Sequence, residues 1–267
     1  MRKKIVLVIL LTALVFLSTA VLGVSFVYRV DGVVLTAPVV SESAKTEAED
    51  LQKRLQTAYE DDSMFFVDSA KAEKIVAEFP YFRLTSFKKD YPNEIRVVIT
   101  EDAEVYATPV SGTEGYYYIL NADGIVLGTR DSYVNRSTLE NNVLWTGLTT
   151  SGTHGQTLTG DECIPSLLTF SNRVIEQLGN VSLNLISVDV LRPASAETIF
   201  RLSMIEGVRI YVRNPAVLTS EKAAAAIEKY LQLDDGQRLK GMIMVDTLLD
   251  SEEIIVSYTP VDAFAGV

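Results

Sequence analysis

Side chains that do chemistry are scarce in this sequence. Among 267 residues there is one histidine, His154, and one cysteine, Cys163. Nucleophilic catalysis needs a base beside the nucleophile, and a zinc site needs several Cys or His ligands. His154 lies in a Gly/Thr-rich stretch, Gly152-Thr153-His154-Gly155, and is expected to be an exposed loop residue. Cys163 has no second cysteine to pair with and is expected as a small buried apolar residue, not a reactive thiol. Neither a G-x-S-x-G nor an H-E-x-x-H run occurs. Carboxylate-based hydrolysis stays open, because the sequence hides which of 35 acidic residues meet in space. No catalytic residue, metal ligand or cofactor is assigned, and an exported enzyme is the lesser reading.

The charge balance bears on partners. All 35 acidic residues follow Val30, whereas Arg2, Lys3, Lys4 and Arg29 precede Asp31. The remainder therefore holds 20 basic against 35 acidic residues, a net of −15 within a total of −11. Such a surface repels phosphate backbones and disfavours direct binding to anionic polymers or lipid headgroups, so the reading is no nucleic acid and a protein partner instead. With 48% hydrophobic residues the chain can build a core without disulfides.

The elements that position these residues begin with an anchor. Ile5 to Tyr28 are 24 positions without a charge, sixteen of them Leu, Ile, Val or Phe. As a helix they span about 36 Å against a hydrocarbon core of roughly 30 Å. The basic residues at 2–4 predict a cytoplasmic N-terminus and an extracytoplasmic C-terminus. A cleaved signal ending at Ser18-Thr19-Ala20 is the rival, but the apolar run continues past that site.

Beyond the anchor, Val33–Leu35 predict a short strand. Leu51, Leu55 and Tyr59 predict a helix over about Lys45–Tyr59, and Asp68 is the expected N-cap of a second helix ended by Pro80. Period two follows: Phe82, Leu84 and Phe87 with a phase shift near Thr85–Ser86, then Ile95, Val97 and Ile99. A strand–helix–helix–strand–strand unit results. Farther on, Tyr116–Leu120 and Ile125–Leu127 predict a hairpin, and 128–160 a long polar loop with an apolar island at Val143–Trp145. Asp161 and Ser220 are the expected caps of two helices. Strands are expected near Leu185–Val190, Thr198–Met204 and Val208–Val212, then at Gly241–Thr247 and Glu253–Thr259 as a closing pair. The fold class is α+β: a single transmembrane helix, a small β-α-α-β-β domain, and a mixed, mainly antiparallel β domain with flanking helices. The expected boundaries are 1–4 tail, 5–28 anchor, 31–101 first domain, 102–260 β domain and 261–267 tail.

One segment is specific. Pro80-x-Phe82, Phe87-x-Lys89-x-x-Pro92 and Ile95-x-Val97-x-Ile99-x-Glu101 resemble the end of the POTRA domain in FtsQ/DivIB-type cell-division proteins. Met64–Asp68, Tyr118–Val126, Leu144-x-x-Gly147 and Gly155-x-x-Leu158 are similar to further parts of that family. The chain departs from it at Thr36-Ala37-Pro38, where a V-x-G-N turn is usual. It departs again at Asp102 (usually Arg), Asn121 (Asp) and Trp145 (Pro). The motif residues are read as architecture. Glu101 is either an orderer of the domain junction or a solvated acid.

The resemblance implies a non-enzymatic scaffold of the bacterial septum. Its implied partners are membrane lipid through the anchor and single-pass coiled-coil division proteins of the FtsB/DivIC and FtsL types. It further implies that Ile254, Ile255, Val256, Ser257 and Tyr258 form an edge strand to which a partner strand is added; the alternative is a covered strand without a partner. A POTRA scaffold in sporulation or transport is the other family-level reading.

Overall fold

The computed structural model describes residues 10–19, 23, 27–39, 41–133, 142–194, 197–248 and 251–262. The chain divides into two compact units, Met1–Asp102 and Ala103–Val267. Of the expected anchor, residues 10–19 are helical and their large apolar side chains face outward, Phe16 being 75% exposed. Its residues 5–9, 20–22 and 24–26 lie outside the described residues, as does the expected tail 1–4. Among the described residues no helix is long and apolar enough to cross a membrane.

The first unit runs β1 (Gly32–Thr36), α1 (Glu42–Tyr59), α2 (Ser69–Val76), β2 (Phe82–Asp90), β3 (Glu94–Glu101). On α1 the apolar residues Ala44, Ala48, Leu51, Leu55 and Tyr59 recur at helical spacing, and all are buried. The helix starts earlier than its apolar period predicts because Ser41 caps it, its hydroxyl accepting the Ala44 N–H at 3.2 Å. Asp68 caps α2 by accepting the Lys71 N–H at 3.4 Å. That helix stops at Val76, short of Phe79, and a turn leads to Pro80. The sheet order is β1-β3-β2, with β1 parallel and β2 antiparallel to β3. Central β3 turns Ile95, Val97 and Ile99 inward with no exposure at all, as alternation predicts. The phase shift in β2 is a bulge between Leu84 and Ser86. The Tyr91–Pro92 peptide is cis.

The second unit begins with β4 (Tyr106–Pro109), β5 (Tyr117–Leu120), β6 (Val126–Arg130), β7 (Val143–Thr146) and α3 (Ile164–Leu178). After a 3-10 turn it continues with β8 (Leu185–Leu191), β9 (Ile199–Met204), β10 (Arg209–Arg213), α4 (Thr219–Leu231), α5 (Asp235–Arg238), β11 (Met242–Thr247) and β12 (Ile254–Thr259). One mixed sheet results, in the order β12-β11-β10-β9-β8-β7-β4-β5-β6. The pairs β10–β11, β7–β8 and β4–β7 are parallel and the rest antiparallel. Helices α3 and α4 pack together, and α4 also lies on β10, β11 and β12. The core they close contains Phe170, Val174, Ile227 and Tyr230 from the helices, with Val212, Ile243 and Val245 from the strands.

Three expectations are corrected here. The apolar island is strand β7, held between β4 and β8, and 128–130 belong to β6, so the expected loop 128–160 is interrupted by sheet; 134–141 lie outside the described residues. Trp145 is fully buried in it, stacked on Tyr106 with ring centroids 4.3 Å apart. Ser220 does not cap α4: the chain reverses through Asn214 and Leu218, both at positive φ, and Leu218 takes the N-cap position, so the helix starts at Thr219, two residues earlier than a Ser220 cap implies. Asp161 stands two residues before the N-cap of α3, which is Cys163, and accepts that residue's N–H at 2.9 Å.

The departure at Asn121 has a simple resolution. Its Oδ1 accepts the N–H groups of Asp123 and Ile125 at 3.0 and 2.9 Å, a role an aspartate fills equally, and Gly124 at φ +74° completes the turn.

Candidate partner interface

A strand invites another strand only where its backbone groups are left facing outward. The two sheets have four edges, and they are treated differently. The β1 edge is closed by α1. Gln56 Oε1 accepts the Val33 N–H at 2.8 Å and Gln52 Oε1 the Leu35 N–H at 2.9 Å. In return Gln52 Nε2 donates to the Val33 carbonyl at 2.5 Å and Gln56 Nε2 to that of Asp31 at 3.2 Å. Two glutamines one turn apart thus reproduce the pattern of a missing neighbour strand. The β2 edge carries the bulge. At β6, Val126 exchanges hydrogen bonds with the 155–157 segment, donating to the Gln156 carbonyl and accepting the Gly155 N–H, both at 2.9 Å.

The β12 edge is different. It pairs antiparallel with β11 so that Ile255 faces Asp246 and Val256 faces Val245. The bond from Leu248 N–H to the Glu253 carbonyl, 2.9 Å, lies on the same register and fixes its phase. Hydrogen-bonded pairs alternate along an antiparallel ladder, so they are Asp246–Ile255, Met244–Ser257 and Met242–Thr259. The N–H and C=O groups of Ile254, Val256 and Tyr258 consequently point away from β11. Among the described residues no hydrogen bond reaches these six groups.

The five residues singled out by sequence are therefore contiguous on one sheet edge. Ile254, Val256 and Tyr258 pack against the core beneath α4, and Tyr258 Oη donates to the carbonyls of Lys240 and Gln237 at 3.2 and 3.3 Å. Ile255, 45% exposed, and Ser257 stand on the other face. That face is polar near the edge. Arg213 bridges Glu197 and Asp246, and Arg209 and Tyr211 reach Asp262 at 2.7 and 3.1 Å.

The motif residues of the first unit are structural in position. Phe82 is buried, Phe87 lies 5.9 Å from the Tyr59 ring, and Pro92 sits in the β2–β3 turn. Lys89 Nζ donates to the carbonyls of Met64 and Phe65 at 2.9 and 3.5 Å, pinning the α1–α2 connection. Glu101 has a role the sequence did not assign. Its carboxylate accepts the Ser41 N–H at 3.2 Å, so negative charge sits at the N-terminus of α1 and ties the end of β3 to it.

Three more residues gain roles only from the structure. Gln52 and Gln56 read as polar helix positions; their four-residue spacing is the only local sign that they act together. Lys222 is fully buried, its Nζ donating to the carbonyls of Arg213 and Asn214 at 2.8 and 3.0 Å. Burial pushes its pKa down, against the pull of Asp246 and Glu197. Cys163 is buried as expected, and burial pushes its thiol up, which opposes nucleophilic use. His154 is exposed.

Residues 39–102 match the family of POTRA domains of the FtsQ type. The chain thus carries an FtsQ-type POTRA domain, built as the β-α-α-β-β unit described above and consistent with the FtsQ/DivIB family. No curated protein matches the chain.

Proposed function

We propose that this protein is a non-enzymatic scaffold of the bacterial division septum, anchored by the apolar run 5–28 with its N-terminus in the cytoplasm and its two units outside. The observation that carries the reading is the FtsQ-type POTRA domain. The charge-free run before it and the open β12 edge after it support the same reading. In this reading β12 receives an extended segment of a small single-pass coiled-coil division protein of the FtsB/DivIC or FtsL type. Six outward backbone groups give affinity without requiring a deep pocket, and Ile255 and Ser257 lend side-chain selectivity.

Three measurements test it. A fluorescent fusion to the full chain should form a ring at midcell in dividing cells and should copurify with those small division proteins from its own organism. A uniform membrane or forespore-only signal would move the scaffold to transport or sporulation. Hydrolysis of peptidoglycan by the purified chain would replace the scaffold with an enzyme.

A further inference from the structure

Four aromatic residues lie on the segments that meet at one end of the POTRA unit, and each of those segments supplies at least one. The incoming segment gives Tyr28, the connection from α1 to α2 gives Phe65 and Phe66, and the β2–β3 turn gives Tyr91. The segments are joined by backbone hydrogen bonds: Met64 N–H to the Tyr28 carbonyl and Val30 N–H to that of Asp62, both 2.8 Å, and Asp31 N–H to that of Asn93, 2.9 Å. The Tyr28 ring lies 5.0 Å from Phe65 and 6.0 Å from Tyr91.

These rings are not a core. Met64 and Val67 turn inward and are buried, and Lys89 holds the carbonyls of Met64 and Phe65. That fixes the two residues between them outward, Phe65 at 53% and Phe66 at 87% exposure; Tyr91, on the β2–β3 turn, is 58% exposed. Two phenylalanines held outward on a hydrogen-bonded turn form a surface that water does not favour.

The covering phase is indicated by the chain itself. Tyr28 is the last residue of the charge-free run that starts at Ile5. If that run lies in lipid, its end lies at the headgroup level, and the rings in contact with Tyr28 are brought there with it. Tyrosine and other amphipathic aromatics favour that zone. Some of the local acids are paired, Asp61 with Arg29 at 3.0 Å, Asp62 with Lys71 at 2.8 Å and Asp90 with Arg96 at 2.8 Å, which lessens the negative charge at this end.

We infer that Tyr28, Phe65, Phe66 and Tyr91 form a membrane-resting platform, with Phe65 and Phe66 inserted into the headgroup–acyl boundary of the outer leaflet. The platform fixes the POTRA unit against the bilayer. This inference rests on the anchor reading above, and its test separates the two.

The full chain carrying Phe66→Trp is reconstituted into vesicles of phosphatidylglycerol and phosphatidylethanolamine, with or without bromine on the acyl chains near the headgroup. Trp145, the only native tryptophan, is fully buried, and its signal is subtracted using the unsubstituted chain. Glu49→Trp is the control, about 15 Å up α1 from Tyr59. Brominated lipid should quench position 66 roughly two-fold with a blue-shifted emission, as for an interfacial aromatic, and leave position 49 unchanged. Alkaline carbonate extraction of the same vesicles reports integration. An integrated chain with no more quenching at 66 than at 49 overturns the platform and leaves the anchor standing. A chain extracted by carbonate overturns both.

Discussion

Replacing Val256 by proline is expected to spare the fold and prevent strand addition, whereas the same change at Ile255 is expected to damage the fold. The contrast follows from phase. The Ile255 N–H belongs to a hydrogen-bonded pair with Asp246, so proline there removes a ladder bond and leaves the Asp246 carbonyl without its donor. A lost bond costs about 1 kcal/mol and an acceptor left unsatisfied about 1–3 kcal/mol, together a drop on the order of 10 °C in the midpoint of a unit this size. The Val256 N–H points outward, where an edge strand tolerates proline, so the cost is limited to local strain and packing at about 1 kcal/mol. Toward a partner strand the order reverses. Val256→Pro deletes one donor and blocks the approach around it, which weakens pairing by about 10- to 100-fold. Heating followed by Trp145 fluorescence reads the first effect, since that side chain is buried in the same unit. Titration of each variant with the copurifying partner reads the second. Equal destabilisation by the two prolines would refute the reasoning. So would slow hydrogen exchange at the amides of Ile254, Val256 and Tyr258 in the unpartnered chain.

Further outcomes are expected elsewhere. Gln52→Ala with Gln56→Ala should speed amide exchange at Val33 and Leu35 and cost the POTRA unit about 1–3 kcal/mol, measured by exchange in increasing urea. Lys222→Met should cost about 2–4 kcal/mol in Trp145-monitored unfolding, because it leaves the Arg213 and Asn214 carbonyls buried without a donor. Burial raises Tyr59, Tyr106 and Tyr230 each to about 12. Their folded values lie above the unfolded 10, so the folded state holds its protons longer, and stability present below pH 10 is lost as pH rises towards 12. Denaturation midpoints at pH 9, 10 and 11 should fall progressively, and less steeply in Tyr106→Phe.

The POTRA unit was the more legible part of the sequence for a physical reason. Ile95, Val97 and Ile99 alternate on a strand with one buried face, and Leu51, Leu55 and Tyr59 repeat on a helix with one buried stripe. Strand β4 gives no such signal: Tyr106, Ala107 and Thr108 are all buried, so alternation vanishes, and Pro109 reads as a breaker. Four-residue β7 is too short to show a period at all. At β12 alternation places Ile254, Val256 and Tyr258 on one face without saying which face meets the core, and its place at an edge came from resemblance, because neighbours in a sheet are set by distant pairing. Glu101 was ambiguous because its partner, the Ser41 N–H, lies sixty residues away in sequence. In the turn Met64–Val67, four apolar residues in a row concealed that two face inward and two outward.

Gln52 and Gln56 have a consequence for crowding. Proteins tethered to one membrane meet each other at high local density and in similar orientation, the circumstance in which exposed flanks of sheets zip copies into filaments. Two carboxamides fastened along β1 act as a stopper on that flank, whereas no such side chain is bonded to the outward backbone groups of Ile254, Val256 and Tyr258 among the described residues. Strand addition at the β1 flank is thereby opposed by two side chains whose loss would hardly alter the hydrophobic interior.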